Sequence, residues 1–345
     1  MKIALLYNTN TKQHSSSWCY PWENFCKSKN IDYEIINPYK IEVVKELLQF
    51  DIILWHYSNY SFKDMLMARY ILNTLDHLGK KVFPTVKDSW HFDDKLAETY
   101  LLESVKAPIP DSYYYYSIKS LKQDLNNNII DYPTIAKLRN GSGSHNVKKI
   151  DSEKQLLKYA TKMFSSGLNS APSILKKSSS NIRSATNLKT FFKRAKRIPE
   201  FLNSFTNAKM FNLEKGYVYL QKMIPNDGFD LKIVVIGNKL SFIGRSSLKG
   251  DFRASGAGKL FYDKNLISKD IINSAFETSD KLGFSCIGYD YVLNSQNNKG
   301  VIIEISYGFS HEALLKAQGY FDRNGKWYDE PLNAPVEVLK NLINV

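Results

Sequence analysis

Short apolar runs alternating with helically spaced segments predict an α/β fold that opens on a parallel sheet and passes into an α+β half of mixed strands. Three observations carry this reading: the strand–helix rhythm of the first ninety residues, a group of strand-like runs after residue 217, and enough apolar content for a core. Of 345 residues, 43% are hydrophobic and 13% aromatic, which excludes a disordered or fibrous chain. This length suits about two or three domains.

Residues 2–7 are a short apolar run ending at Asn8, read as a central strand, and residues 31–36 and 51–55 repeat the signal. Residues 41–48 have helical spacing. Residues 63–78 place apolar side chains at 65, 66, 70, 71, 72, 75 and 78, a helix that Gly79 closes from the position beyond its C-cap. Residues 81–83 begin a further strand. In an open parallel sheet the crevice lies beyond the strands' carboxyl ends, where Asn8, His56 and Tyr57 fall.

A helix over 94–105 and a stiff extended connector, Ala107-Pro108-Ile109-Pro110, follow. Four consecutive tyrosines in 112–116 read most simply as a strand with both faces occupied, an aromatic binding platform being the alternative. Residues 132–138 read as a strand and 152–163 as an amphipathic helix. Residues 165–210 break the rhythm, rich in Ser, Asn and Lys, with basic residues interleaved among Phe191, Phe192, Ile198 and Phe201. Strands resume at 217–224, 231–236, 240–244, 287–293 and 301–305, with a helix at 270–282.

Forty-seven basic against 34 acidic side chains give +13, a balance that favours phosphates, acidic polymers, nucleic acid or an anionic bilayer. Cys19, Cys26 and Cys286 form no CxxC pair, which argues against a disulfide framework or a cysteine zinc site and suits a reducing cytoplasm. The opening apolar run is too brief for a signal peptide, and no window is apolar enough to span a bilayer.

Three segments can carry chemistry. Lys137 ends a strand just before Gly141-Ser142-Gly143-Ser144, a loop able to bring backbone N–H groups against phosphate oxygens, although an ordinary hairpin has the same signature. Asp290 and Glu304 sit in neighbouring strand-like runs as a carboxylate each near the strand end; two buried acids side by side call for a cation, and oxygen donors suit Mg²⁺ or Mn²⁺. The turn after Arg245, with Lys249 and Arg253, could clamp a transferring phosphoryl group, or be a solvated hairpin tip.

In the order lysine, glycine loop, apolar strand ending at Ile224, Asp230, cationic turn, acid, acid, the chain resembles the ATP-grasp superfamily, in particular the branch of ribosomal-protein glutamate ligases and other carboxylate–amine ligases. The resemblance spans nearly the whole chain. It implies a pre-ATP-grasp α/β domain over 1–92, a lid domain over 93–222 with a basic insertion at about 165–210, and a C-terminal domain over 223–345 with the metal site. It assigns Lys95 and Lys137 to nucleotide phosphates and Gly141, Ser142, Gly143 and Ser144 to the loop closing over them. Gln221, Lys222 and Ile224 would edge adenine, Asp230 would take the ribose, Arg253 and Ser255 would reach phosphate, and Arg245 would face an acyl phosphate. Asp290 and Glu304 would hold two Mg²⁺ ions, with Ser306 in the place of the usual asparagine ligand, where it is poorer.

The implied activity is ATP-dependent, ADP-forming amide synthesis. Residues 306–310 and 319–328 look similar to ATP-grasp proteins of bacterial surface-polysaccharide biosynthesis, which implies joining an amine or amino acid to a uronic-acid carboxylate. A ligase acting on a polypeptide is the enzymatic rival, and a basic non-catalytic binding module is the reading from another class. No nucleic-acid motif is present. The basic insertion suits an acidic glycan or glycolipid, or peripheral contact at the inner face of the cell membrane, against a solvated flap over the nucleotide site.

Overall fold

The apolar run at the start of the chain becomes the centre of a parallel sheet. The computed structural model describes residues 1–7, 17–59, 61–141, 146–170, 213–247 and 259–344. Two units divide the chain, one made of Met1–Pro110 with Ile224–Val345, the other of Asp111–Met223. Ser142, Gly143, Ser144, Arg253, Ser255 and residues 171–210 of the basic insertion lie outside the described residues.

In the first unit β1 (Lys2–Leu6) pairs in parallel with β2 (Asp32–Ile36) and β3 (Ile52–Trp55), and β4 (Lys81–Phe83) completes the order β2-β1-β3-β4. Helix α1 (Cys19–Ser28) is an addition to the sequence expectation; it tolerates Pro21 in its first turn and buries Trp22, Phe25 and Cys26. Helix α2 (Val43–Leu47) is shorter than expected. Helix α3 (Phe62–His77) begins where Ser61 Oγ accepts the Asp64 N–H at 3.2 Å, and Gly79 beyond it takes φ +78°. After α4 (Val86–Ser89), α5 (Lys95–Ser104) starts at its N-cap Asp94 and turns Lys95, Glu98, Thr99 and Leu102 inward. Two ionisable side chains on a buried face are not what a core helix uses.

The second unit holds an antiparallel sheet of β5 (Ser112–Tyr115), β6 (Thr134–Lys137), β7 (Val147–Ile150) and β10 (Val218–Lys222), ordered β5-β10-β6-β7. Helices α6 (Ile118–Asn126) and α7 (Glu153–Phe164) belong to it, with a small pair of β8 (Leu168–Asn169) and β9 (Leu213–Glu214). The tyrosine run is an edge strand, in which Tyr115 is buried and Tyr114 stacks on Tyr219 at 5.4 Å. Strand β10 stops at Lys222 rather than Ile224, because Pro225 offers no N–H and keeps Ile224 out of regular pairing.

Back in the first unit, β11 (Phe229–Ile236), β12 (Lys239–Ser246), β13 (Leu260–Phe261), β14 (Cys286–Leu293), β15 (Gly300–Ser306), β16 (Tyr320–Phe321) and β17 (Trp327–Tyr328) form an antiparallel sheet. Its order is β15-β14-β11-β12-β16-β17, with β13 on β12. Helices α8 (Lys269–Leu282), α9 (His311–Leu315) and α10 (Ala334–Ile343) accompany it. The two sheets of this unit share one apolar core. The Trp22 indole donates to the Pro335 carbonyl at 2.8 Å, and the buried Asp88 carboxylate accepts from Ser285 N, Ser285 Oγ and Cys286 N. Among the described residues, no helix is long and apolar enough to cross a membrane.

Candidate active site

Register decides the site. On β14 and β15 Asp290 stands opposite Glu304, and on β11 Lys232 stands opposite Asp290, so three charged side chains cross one face of the sheet. Asp230, two residues before Lys232, shares that face and pairs with Arg245 on β12. The sequence expectation of an acid near each strand end needs correcting. Antiparallel neighbours end at opposite edges, and Asp290 lies inside β14, so the two acids meet through register.

Arg245 is fixed by two carboxylates. Its Nε and Nη2 donate to Asp230 Oδ1 and Oδ2, both at 2.7 Å, and Nη2 also reaches Asp290 Oδ2 at 3.0 Å. Lys232 Nζ stands 2.5 Å from Asp290 Oδ1. Burial pushes the Asp290 carboxyl up, but Arg245 and then Lys232 outweigh it and hold it at about 2. Glu304 is the open member of the row, with 29% of its side chain exposed, and its partner is Lys95 Nζ at 3.6 Å. Burial works against the Lys95 ammonium, yet Glu304, Glu98 and Asp93 hold its pKa above the usual value. Burial, and then Glu304, push the Glu98 carboxyl well upward.

Hard oxygen donors of this kind fit Mg²⁺ or Mn²⁺. Asp290 Oδ1 is buried against the Lys232 ammonium, and Glu304 beside it is partly open to solvent. Ser306 Oγ accepts the Gly308 N–H at 3.0 Å and donates to the Gly308 carbonyl at 3.2 Å, so little capacity remains for a third ligand. Among the described residues no three His, Cys, Asp or Glu side chains stand together for a metal. The donor set is therefore two carboxylates and a committed hydroxyl.

In the second unit Lys137 closes β6, buried, opposite Tyr219 and Val147. Strands β6 and β7 pair across the glycine loop, so the segment is a hairpin as well as a candidate phosphate loop. Gly141 takes φ +125°, and a Cβ there would fall 2.1 Å from the Asn146 amide nitrogen. Buried Glu214 gathers the loop's base: it accepts from Tyr217 Oη at 2.8 Å and Asn140 Nδ2 at 2.9 Å and pairs with Arg139 at 3.4 Å, while Tyr217 Oη accepts the Arg139 N–H at 2.7 Å. The Gln221 carbonyl accepts from Thr134 Oγ1 at 3.0 Å. Lys222 reaches Asp131 at 3.3 Å and Asp111 at 3.9 Å. Ile224 begins the return to the first unit.

The first unit thus brings together Lys95, Asp230, Arg245, Asp290, Glu304 and Ser306, and the second carries Lys137, Gly141, Gln221 and Lys222. Sequence reasoning missed Lys232, Glu98 and Glu214. Lys232 was legible from its two-residue step after Asp230, and Glu98 from its place one helical turn after Lys95. Glu214 left no local signal.

No protein-family model matches the chain, and no curated protein matches its sequence. Solved structures match its fold. With D-alanine–D-alanine ligase from Bacillus anthracis complexed with ATP, the TM-score is 0.55 at 12% identity, over 100% of this chain and 96% of that one. D-cycloserine synthetase DcsG gives 0.57 at 10% identity, over 100% and 99%. The ATP-grasp ligase PsnB, complexed with precursor peptide PsnA2 and AMPPNP, gives 0.54 at 9% identity, over 99% and 97%. The chain has the ATP-grasp fold.

Proposed function

We propose that this protein is an ATP-dependent ligase that activates a carboxylate as an acyl phosphate and joins it to an amine, releasing ADP and phosphate. One observation carries the reading: on the sheet of an ATP-grasp fold, Glu304, Asp290 and Lys232 cross one face in register, with Arg245 locked beside them and Lys95 at the open end. A basic binding module has no need to bury Asp230 and Asp290 among cations beside a third acid, since ion pairs of this kind lose much of their attraction to desolvation.

In the chemistry proposed, a substrate carboxylate oxygen attacks the γ-phosphorus and the bond to the ADP oxygen breaks. The amine then attacks the acyl carbon, the acyl–phosphate bond breaks, and phosphate leaves as the amine loses a proton. Asp290 and Glu304 would hold Mg²⁺ or Mn²⁺, which offsets phosphate charge when bound, with Ser306, its hydroxyl engaged by Gly308, a weak third donor at most. Lys95 in the first unit and Lys137 in the second are assigned to nucleotide phosphates, and Gln221, Lys222 and Ile224 to the adenine edge. Asp230 spends both oxygens on Arg245, so its part is to orient that guanidinium before any contact with ribose. Arg245, pre-oriented in this way, is assigned to the acyl phosphate, where losing one electrostatic contact costs about 3 kcal/mol of barrier.

The finer part of the proposal is the acceptor, a uronic-acid carboxylate, supported by the sequence likeness of residues 306–310 and 319–328. An amino-acid or peptide carboxylate is the second reading, favoured by the likeness to ligases solved as a D-alanine–D-alanine ligase and with a precursor peptide. Incubation with Mg²⁺-ATP, hydroxylamine and a panel of uronic acids, amino acids and peptides tests both. The expected result is ADP release coupled to hydroxamate formation for one class. ADP release in Glu304→Gln should fall by about 100-fold or more, with the fold retained. No ADP release and no nucleotide binding would sink the ligase reading.

A further inference from the structure

We infer that Glu98 is a positioning residue for the acidic edge of this sheet: by holding the backbone of β15 at Ile305 it fixes where the Glu304 carboxylate stands. The inference rests on the reading of Asp290 and Glu304 as ligands of a divalent cation. Strand β15 is outermost in the sheet, so its outward N–H groups have no ladder on that side. The segment that carries α5 supplies two of the missing acceptors. Ile302 N donates to the Pro108 carbonyl at 2.7 Å, and Ile305 N donates to Glu98 Oε2 at 3.2 Å.

Between these anchors lie Ile303 and Glu304, at a bulge where the register steps from Asp290 opposite Glu304 to Tyr291 opposite Ile302. The bulge interrupts the ladder at Ile303, next to Glu304, so register with Asp290 sets the face Glu304 occupies while the outer anchors hold the backbone that carries it. Glu98 is only 2% exposed. Three residues earlier on the same helix face, Lys95 stands 3.6 Å from the Glu304 carboxylate. One helix therefore grips Glu304 twice: the peptide after it through Glu98, its carboxylate through Lys95. Asp290 differs, being held by Lys232 and Arg245 from its own sheet. Reaching β15 from α5 takes a side chain as long as Glu or Gln.

The test is Mn²⁺ binding to the full chain with ADP present, read by electron paramagnetic resonance, for wild type, Glu98→Thr, Glu98→Leu, Glu98→Gln and Glu304→Gln. Glu98→Thr and Glu98→Leu should bind Mn²⁺ about tenfold more weakly, the usual loss when a residue supporting a ligand is removed. Their far-UV circular dichroism and their ADP affinity in chelator should match wild type. Glu98→Gln, which keeps the acceptor, should stay within about threefold of wild type, below that usual loss. Unchanged Mn²⁺ affinity in folded Glu98→Thr or Glu98→Leu overturns the inference, as does an equal loss in Glu98→Gln. If Glu304→Gln binds Mn²⁺ like wild type, the metal-site reading fails and takes the inference with it. Loss in Glu304→Gln beside normal binding in Glu98→Thr rejects the inference alone.

Discussion

Arg245, proposed to face the acyl phosphate, would serve stability as well as chemistry. Its guanidinium pairs with Asp230 and Asp290, both buried, so Arg245→Ala strands Asp230 in a low-dielectric sheet and leaves Asp290 with Lys232 alone. Breaking such a pair costs about 3–5 kcal/mol. We expect a lowered thermal midpoint as well as slowed turnover, and a variant as stable as wild type would show the ion pairs to be idle. A second residue-scale prediction concerns pH. Burial lowers His91 from 6.5 to about 4 and His56 to about 3, so both stay neutral in the folded chain. Below pH 6.5 the unfolded chain binds protons that the folded one refuses, so stability falls as pH drops toward 4. For His91 this amounts to roughly 3 kcal/mol. Urea melts at pH 7.5 and pH 5 should show His91→Gln losing less stability than wild type; equal slopes would mean that His91 does not supply the effect. At this scale the two metal-candidate acids were legible because each interrupts an apolar run; Lys232 interrupts one as well, and its two-residue step from Asp230 is what marks it for the same face.

Elements were legible where pattern and function agree. Helix α3 carries Ser61 and Gly79 at its ends and buries Ile71, Leu72 and Leu75 of the expected apolar positions, and the central strands β1 and β3 are almost wholly apolar. Helix α1, with Pro21 and mixed polarity, and β7, the short basic VKKI, carried no such pattern; β7 exists because β6 offers it a ladder across the glycine loop. Packing of the cationic strand also depends on one small residue. Gly244 precedes Arg245 on β12 and faces Phe261 on β13, whose ring would lie 2.3 Å from an added Cβ. Gly244→Ala should therefore cost about 1–3 kcal/mol by overpacking. Pairing it with Phe261→Ala in a double-mutant cycle should recover part of that loss; strictly additive losses would show that the ring is not the obstacle.

For the molecule as a whole, the order of motifs pointed to the ATP-grasp fold before any single motif could, because each is short and degenerate while their succession is not. The division of the chain was less legible, since residues far apart in sequence complete one core: Trp22 with Pro335, and Asp88 with Ser285. No local pattern announces such contacts. The excess of +13 suits a protein that handles phosphates, yet the candidate site gathers acids as well, with Asp230, Asp290 and Glu304 set among Arg245, Lys232 and Lys95. Balanced pairing of that kind keeps a site ready for charge that arrives with a ligand. The central claim is that ATP activates a carboxylate. Its most direct test is to supply the accepted acid labelled with ¹⁸O in its carboxyl group, together with Mg²⁺-ATP and amine, and to examine the phosphate released. An acyl phosphate requires one carboxyl oxygen to leave with phosphorus, so ¹⁸O-labelled phosphate should appear in step with ADP. Label in AMP, or unlabelled phosphate accompanying amide formation, would contradict the account.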